Sequence, residues 1–150
     1  DLGLPITTEY DTHNGRMVSI SRANVQDDHA IGGMIDMRTA FAQSSNVYFA
    51  DAIYRNYNDN RQRYVDFLTN RLHLGGDVGF ADLGERQSYI PDPSNRNQWS
   101  APTLPNMGYG YAIEMPPIRI LTLYNAVANG GRMVAPRLGR EIRRGDGAVG

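Results

Sequence analysis

Apolar residues recur at helical spacing over much of this chain and alternate with polar ones in one short stretch. Met37, Ala40 and Phe41 begin the first helical pattern, with Asp36 placed to cap it. Ser44 and Ser45 interrupt that helix. A second pattern runs from Asn46 to Tyr57 and sets Val47, Ala50, Ile53, Tyr54 and Tyr57 on one side. Tyr48, Tyr54 and Tyr57 read as packing residues of this helix rather than a ligand-stacking set. Asn58, Asp59 or Asn60 caps a third helix, whose buried stripe is Tyr64, Phe67, Leu68 and Leu72, and Gly75-Gly76 supplies its stop. A fourth helix starts at Pro116-Pro117, turns Ile118, Leu121, Tyr124 and Ala128 inward, and ends at Gly130-Gly131.

The remainder carries weaker signals. Met17-Val18-Ser19-Ile20-Ser21 alternates, which predicts a short strand after a turn at Asn14-Gly15. Ile31 to Ile35 reads as a loop leading into structure. Residues 75–115 are rich in Gly, Pro, Asn and Ser. A loop of that length predicts short pieces of structure, some of them near a substrate groove, with Trp99 as a local anchor. Arg132 to Arg143 reads as extended and broken at Pro136, so the last helix feeds a strand at a sheet edge. There is no internal repeat and no low-complexity tract.

Composition narrows the function. Apolar residues make up 41% of the 150 positions, enough for a core, and the formal net charge is −1. That balance gives no pull toward nucleic acid or an anionic membrane surface. With no cysteine, disulfides, Cys-based zinc sites and a thiol nucleophile are excluded. Asp27-Asp28-His29 has no second His or Cys at ligand spacing, so it reads as a surface turn, and neither a metal nor a cofactor is expected. Gly108-Tyr109-Gly110 lacks the third glycine of a dinucleotide fingerprint and reads as a tight turn. No apolar run approaches the ~18 residues of a membrane span. All fifteen positions shared by lysine and arginine are arginine.

The chemistry-bearing candidate is Gln43-Ser44-Ser45-Asn46-Val47-Tyr48-Phe49-Ala50. Ser and Asn are good helix caps, and capping alone explains such a pattern. Its surroundings add more. Ala40 to Val47 resembles the second motif of class B penicillin-binding proteins, an apolar helix ending in Ser-Ser-Asn-Val. Gly108-Tyr109-Gly110-Tyr111-Ala112-Ile113-Glu114-Met115-Pro116-Pro117-Ile118-Arg119 is similar to the Gly-Tyr-Gly segment of the division-type enzymes. Leu123 to Leu138 resembles the family's next helix, its Ala-Asn-Gly-Gly stop and the strand after it. The matches fall in family order across residues 35–140.

The resemblance implies an α+β fold, here a mainly helical fragment of the penicillin-binding/β-lactamase-like transpeptidase fold with few short strands. It implies a D,D-transpeptidase in the parent protein. There the serine of Ser-x-x-Lys attacks the D-Ala-D-Ala carbonyl of a peptidoglycan stem peptide, and a second stem peptide resolves the acyl-enzyme. β-Lactam antibiotics mimic the dipeptide. Ser44 then relays a proton to the leaving nitrogen, and Asn46 holds the lysine and the substrate amide. Ser45, Gly108, Tyr109 and Gly110 lie toward the substrate. The lysines of Ser-x-x-Lys and Lys-Thr/Ser-Gly have no counterpart here. Residues 1–150 are therefore expected to be a partial domain between those motifs, inactive alone, with its anchor elsewhere and its place at the periplasmic face of the bacterial inner membrane. Its partners would include other cell-wall or division proteins, and its own copies over the surface the missing sheet leaves. Two other readings stand beside this one: a β-lactam-sensing or β-lactamase relative, and a non-catalytic helical scaffold in which Ser44–Asn46 only cap a helix.

Overall fold

A computed structural model describes residues 2–20, 24–77, 79–80 and 86–137. A strand pair opens the fold. Strand β1 (Glu9–Asp11) lies antiparallel to β2 (Met34–Asp36), with Tyr10 opposite Ile35. Left-handed backbone at His13, Asn14 and Gly15 turns the chain just after β1. A Cβ at residue 15 would stand 3.3 Å from the His29 carbonyl oxygen, so glycine is needed there. Thr12 is fully buried, and its hydroxyl donates to the Ile31 carbonyl across the loop.

The strand predicted over Met17–Ser21 does not form among the described residues, and Ser21 lies outside them. Arg16 and Gln26 make an isolated antiparallel bridge instead. Met17 turns into a small core with Val25, Val47 and Ala50. The β2 strand occupies what reads as a loop, because three residues are too few to show an alternation.

Asp36 ends β2 and caps helix α1 (Met37–Ala42), accepting from the Thr39 N–H at 2.8 Å. Helix α2 (Asn46–Tyr57) is the spine of the fold. The predicted side is partly right: Val47, Ala50 and Tyr57 are buried, with Ile53 and Tyr54 half-buried. Tyr48, Asp51 and Ala52 are buried as well, so α2 is packed over most of its circumference. Tyr48 is fully buried, meets Tyr10 edge-on at 5.2 Å, and donates its hydroxyl to the Thr8 carbonyl at 2.7 Å. The buried Asp51 carboxylate accepts from Ser19 Oγ at 2.6 Å and pairs with Arg55 one turn on.

Helix α3 (Arg61–Asp66), capped by Asn60, continues into a π-helical turn, Phe67–Arg71. Tyr64, Val65 and Leu68 join the largest core cluster, and Phe67 and Leu72 pack against it half-buried. The helix stops at this wide turn and at His73, whose φ is +51°, before Gly75-Gly76 is reached.

Within residues 86–115 the expected short pieces are present. Tyr89 and Glu114 form a two-hydrogen-bond bridge, Trp99 packs on the largest core cluster, and Thr103–Gly108 forms helix α4. Helix α4 buries Leu104 and Met107 against α2 and α3.

Helix α5 (Pro117–Ala128) begins at the predicted proline and closes through Gly131 N–H to Ala126 O at 2.8 Å. Its inward face differs from the sequence expectation. Arg119, Thr122 and Ala126 are buried, while Leu121 and Tyr124 are exposed. The helix is apolar on more than one side, so periodicity alone does not select the side this chain covers. Residues 132–137 form no strand, and the rest of the strand expected up to Arg143 lies outside the described residues, as do Gly145–Gly150. No helix among the described residues is long and apolar enough to cross a membrane.

Candidate functional site

The Ser44-Ser45-Asn46 corner is built by two helix terminations that share residues. Helix α1 ends in a Schellman turn: Ser45 N–H reaches the Ala40 carbonyl at 2.9 Å, and Ser44 N–H reaches Phe41 O at 3.2 Å. That turn places its hinge residue in left-handed backbone, and the residue is Ser44, with φ +56°. Glycine usually fills this position, and a residue with a Cβ costs about 1 kcal/mol more there. Helix α2 then starts on Ser45, whose hydroxyl oxygen accepts from the Tyr48 N–H at 3.1 Å.

The two serines end up in opposite environments. Ser45 is almost fully buried, whereas Ser44 is exposed and, among the described residues, its hydroxyl makes no hydrogen bond. Asn46 is half-buried, and its Nδ2 donates to the Gln26 carbonyl at 3.2 Å, which leaves Oδ1 free to accept. So the capping role falls on Ser45, and the outward groups are a hydroxyl on Ser44 and an amide oxygen on Asn46. A hydroxyl that can both donate and accept is suited to passing a proton.

The segment that braces this corner reads from sequence only as a surface turn. Asp27 accepts from Ser45 Oγ at 3.0 and 3.2 Å and from the Val47 N–H at 2.9 Å. Beside it, His29 Nε2 lies 3.3 Å from Gln43 Oε1, at the end of α1. Asp27-Asp28-His29 therefore serves the corner through Asp27 and His29. Eighteen to twenty residues separate Asp27 from its partners, and no local pattern encodes such pairing.

Gly108 and Tyr109 meet the same helix, while Gly110 is exposed beside them. Gly108 closes α4 against α2, with the Phe49 carbonyl oxygen 2.8 Å from where its Cβ would be. Tyr109 packs on the cluster that contains Val47 and Ala50, and its hydroxyl donates to Asn106 Oδ1 at 3.1 Å. Burial raises the Tyr109 phenol above its ordinary value, and the neighbouring Tyr111 adds to the rise. Gly110 supplies the left-handed turn that releases the exposed Tyr111. The fold thus brings Gly108 and Tyr109 onto the first two turns of α2, behind the corner. The cavities of about 250 Å³ beside Arg119 and about 320 Å³ beneath Phe41 are lined by other residues. No cluster of three metal-ligating side chains occurs among the described residues.

A serine–amide corner thus joins two helices of a mainly helical body that carries one small sheet, with Gly108 and Tyr109 packed behind it. The family model for the penicillin binding protein transpeptidase domain matches residues 5–147, and the chain belongs to that family. Among characterised proteins it is similar to penicillin-binding protein PbpB of Mycobacterium tuberculosis. The two are 30% identical over 108 residues, which is 72% of this chain and 15% of that relative. The mixed helical body with its two-stranded sheet agrees with a helical piece of the transpeptidase fold.

Proposed function

We propose that this chain is the Ser-x-Asn wall of a D,D-transpeptidase that crosslinks peptidoglycan stem peptides, in a class B, division-type penicillin-binding protein. The observation that carries the reading is the split at the corner: Ser45 turns inward to cap α2, while Ser44 Oγ and Asn46 Oδ1 stay available. The Schellman turn by itself sets residue 44 in left-handed backbone; what supports the reading is that a serine and not a glycine stands there, since strained positions of this kind collect at functional sites.

In the proposed reaction a serine hydroxyl supplied from outside residues 1–150 attacks the carbonyl carbon of the D-Ala-D-Ala peptide bond. A C–O bond forms, the C–N bond breaks, and the serine proton passes to the leaving nitrogen through Ser44. Asn46 Oδ1 accepts from the ammonium of the Ser-x-x-Lys lysine and from the substrate amide. Tyr109 and its flanking glycines, Gly108 and Gly110, support this wall from behind, and Ser45 holds its base. Water or a second stem-peptide amine then releases the acyl group. β-Lactams take the same path and stop at the acyl-enzyme.

Neither lysine exists in this sequence. We therefore place both in flanking polypeptide, together with the nucleophile and a membrane anchor that holds the domain at the periplasmic face of the inner membrane. The exposed apolar face of α5, with Leu121, Tyr124 and Val127, supports contact between isolated copies and with other cell-wall proteins.

Fluorescent penicillin tests the reading. It should label the full-length parent covalently and leave residues 1–150 unlabelled. Ser44→Ala in the parent should slow acylation by ~100-fold or more, the scale of a lost general acid. Labelling of the isolated chain, or a Ser44→Ala parent acylated at the wild-type rate, would reject it.

A further inference from the structure

We propose that Asp27 is the positioning residue of this wall, the group that decides which of the two adjacent serines keeps a free hydroxyl. The inference rests on the reading of Ser44 and Asn46 as reaction groups.

The strip Gln26-Asp27 touches the corner on both sides. Asp27 Oδ2 and Oδ1 lie 3.0 and 3.2 Å from Ser45 Oγ, and Oδ1 takes the Val47 N–H at 2.9 Å. The Gln26 carbonyl takes Asn46 Nδ2 at 3.2 Å. The strip itself is anchored, since Asp27 N–H donates to Gly15 O at 2.9 Å and Gln26 bridges Arg16. Residues 45, 46 and 47 are each held by it, and Ser44 sits immediately before them on a hinge whose far side is bonded to α1.

Capping alone does not require this. Ser45 already satisfies the Tyr48 N–H, and one side-chain cap is what most helices have. The reciprocal acid of a local capping box would come from the third helical residue, which here is Tyr48. A carboxylate arriving from 18 residues away does something more. A serine hydroxyl has one proton. The Ser45 proton points to Asp27, while its lone pairs serve Tyr48 N–H, so Ser45 cannot exchange a proton with a substrate. Ser44, with an identical side chain one residue away, is left as the hydroxyl that can. The same strip fixes the Asn46 amide by its nitrogen and so turns its oxygen outward.

The experiment uses the full-length parent protein and measures the second-order acylation rate with fluorescent penicillin, alongside the thermal midpoint. Asp27→Ala should slow acylation at least ~10-fold, because sub-ångström misplacement of a reacting group costs on this scale. Asp27→Asn keeps an acceptor oxygen for Val47 N–H and the Ser45 hydroxyl, and should stay within about threefold of wild type. In a Ser44→Ala background, Asp27→Ala should add less than about a twofold loss, since the two act through one group. A residue that merely held the fold would slow both backgrounds by the same factor. If Asp27→Ala does not fold, Ser45→Ala takes its place, with a loss of several-fold expected from the freed corner. Wild-type acylation in Asp27→Ala, or in Ser45→Ala where that stands in, overturns the proposal provided Ser44→Ala is slow. Equal factors in both backgrounds overturn it too. Wild-type acylation in Ser44→Ala instead removes the reading beneath it.

Discussion

Gly108 and Phe49 approach so closely that a Cβ on residue 108 would stand 2.8 Å from the Phe49 carbonyl oxygen and 3.1 Å from Ala50 Cα. Backbone meets backbone here, so no rotamer change relieves the clash. The contact seats α4 on the first two turns of α2, behind the corner, and carries Tyr109 onto the cluster of Met17, Val25, Val47 and Ala50. Gly108→Ala should therefore destabilise the chain by about 2–3 kcal/mol, the cost of overpacking a fitted interface. Urea unfolding followed by circular dichroism checks this. A midpoint equal to wild type would show that α4 is free to lift from α2.

The corner gives the opposite sign. Ser44 holds φ +56° with a Cβ, so Ser44→Gly should stabilise residues 1–150 by about 1 kcal/mol. The same change removes the hydroxyl, and acylation of the parent should fall as it does for Ser44→Ala. Stability rising while activity falls is the mark of a residue kept at a strained position for its chemistry. Thermal unfolding of the two variants separates the effects, because Ser44→Ala keeps the strain that Ser44→Gly relieves.

Hydrogen bonds from Thr39, through its hydroxyl and then its backbone N–H, lower the Asp36 carboxyl below its ordinary 3.8. A depressed carboxyl contributes stability that is present above the unfolded value and is lost as pH falls through the folded one. The α1 cap should therefore hold near neutrality and weaken below about pH 3.8. Asp36→Asn still caps, since Asn and Asp are comparable there, but it no longer titrates. Its thermal midpoint at pH 7 should stay near wild type, and its loss between pH 5 and pH 2.5 should be smaller. A steeper acid loss in the variant would reverse the sign assigned to Asp36.

These sites show what the sequence encodes locally and what it leaves to tertiary packing. The α2 boundaries were legible because Ser45 is a preferred cap and the apolar spacing is continuous from Val47 to Tyr57. The ends of α5 were legible because Pro117 and Gly130-Gly131 are fixed by backbone chemistry. Its inward face was not, since Leu121 and Tyr124 are as apolar as the residues beside the buried Thr122 and Ala126. Helix α4 was hidden because Pro102 and Pro105 read as breakers, although Pro102 stands at its cap and Leu104 and Met107 supply the burial. The motif drew attention to Ser44 and Asn46 by resemblance. Asp27 could not be found the same way, because its bonds to Ser45 and Val47 join loop to helix across long separations.

The face of α5 sets the last prediction. Leu121 is 61% exposed, Tyr124 69% and Val127 73%, and they lie at successive turns of one stripe. Helical residues three and four apart share a face, so these side chains make a continuous apolar patch beside Ile120. Burying each large apolar side chain is worth about 1.5–3 kcal/mol, enough in sum to drive association of copies at moderate concentration. Residues 1–150 in isolation should therefore sediment as a concentration-dependent mixture heavier than 16.7 kDa. Leu121→Glu with Val127→Glu should shift that mixture to monomer. Its unfolding free energy should stay within about 0.5 kcal/mol of wild type, as exposed substitutions usually do. A wild-type chain that sediments as one monomeric species across the concentration range would show that this face needs no cover in solution. A double variant that unfolds would show instead that the stripe packs on its own chain.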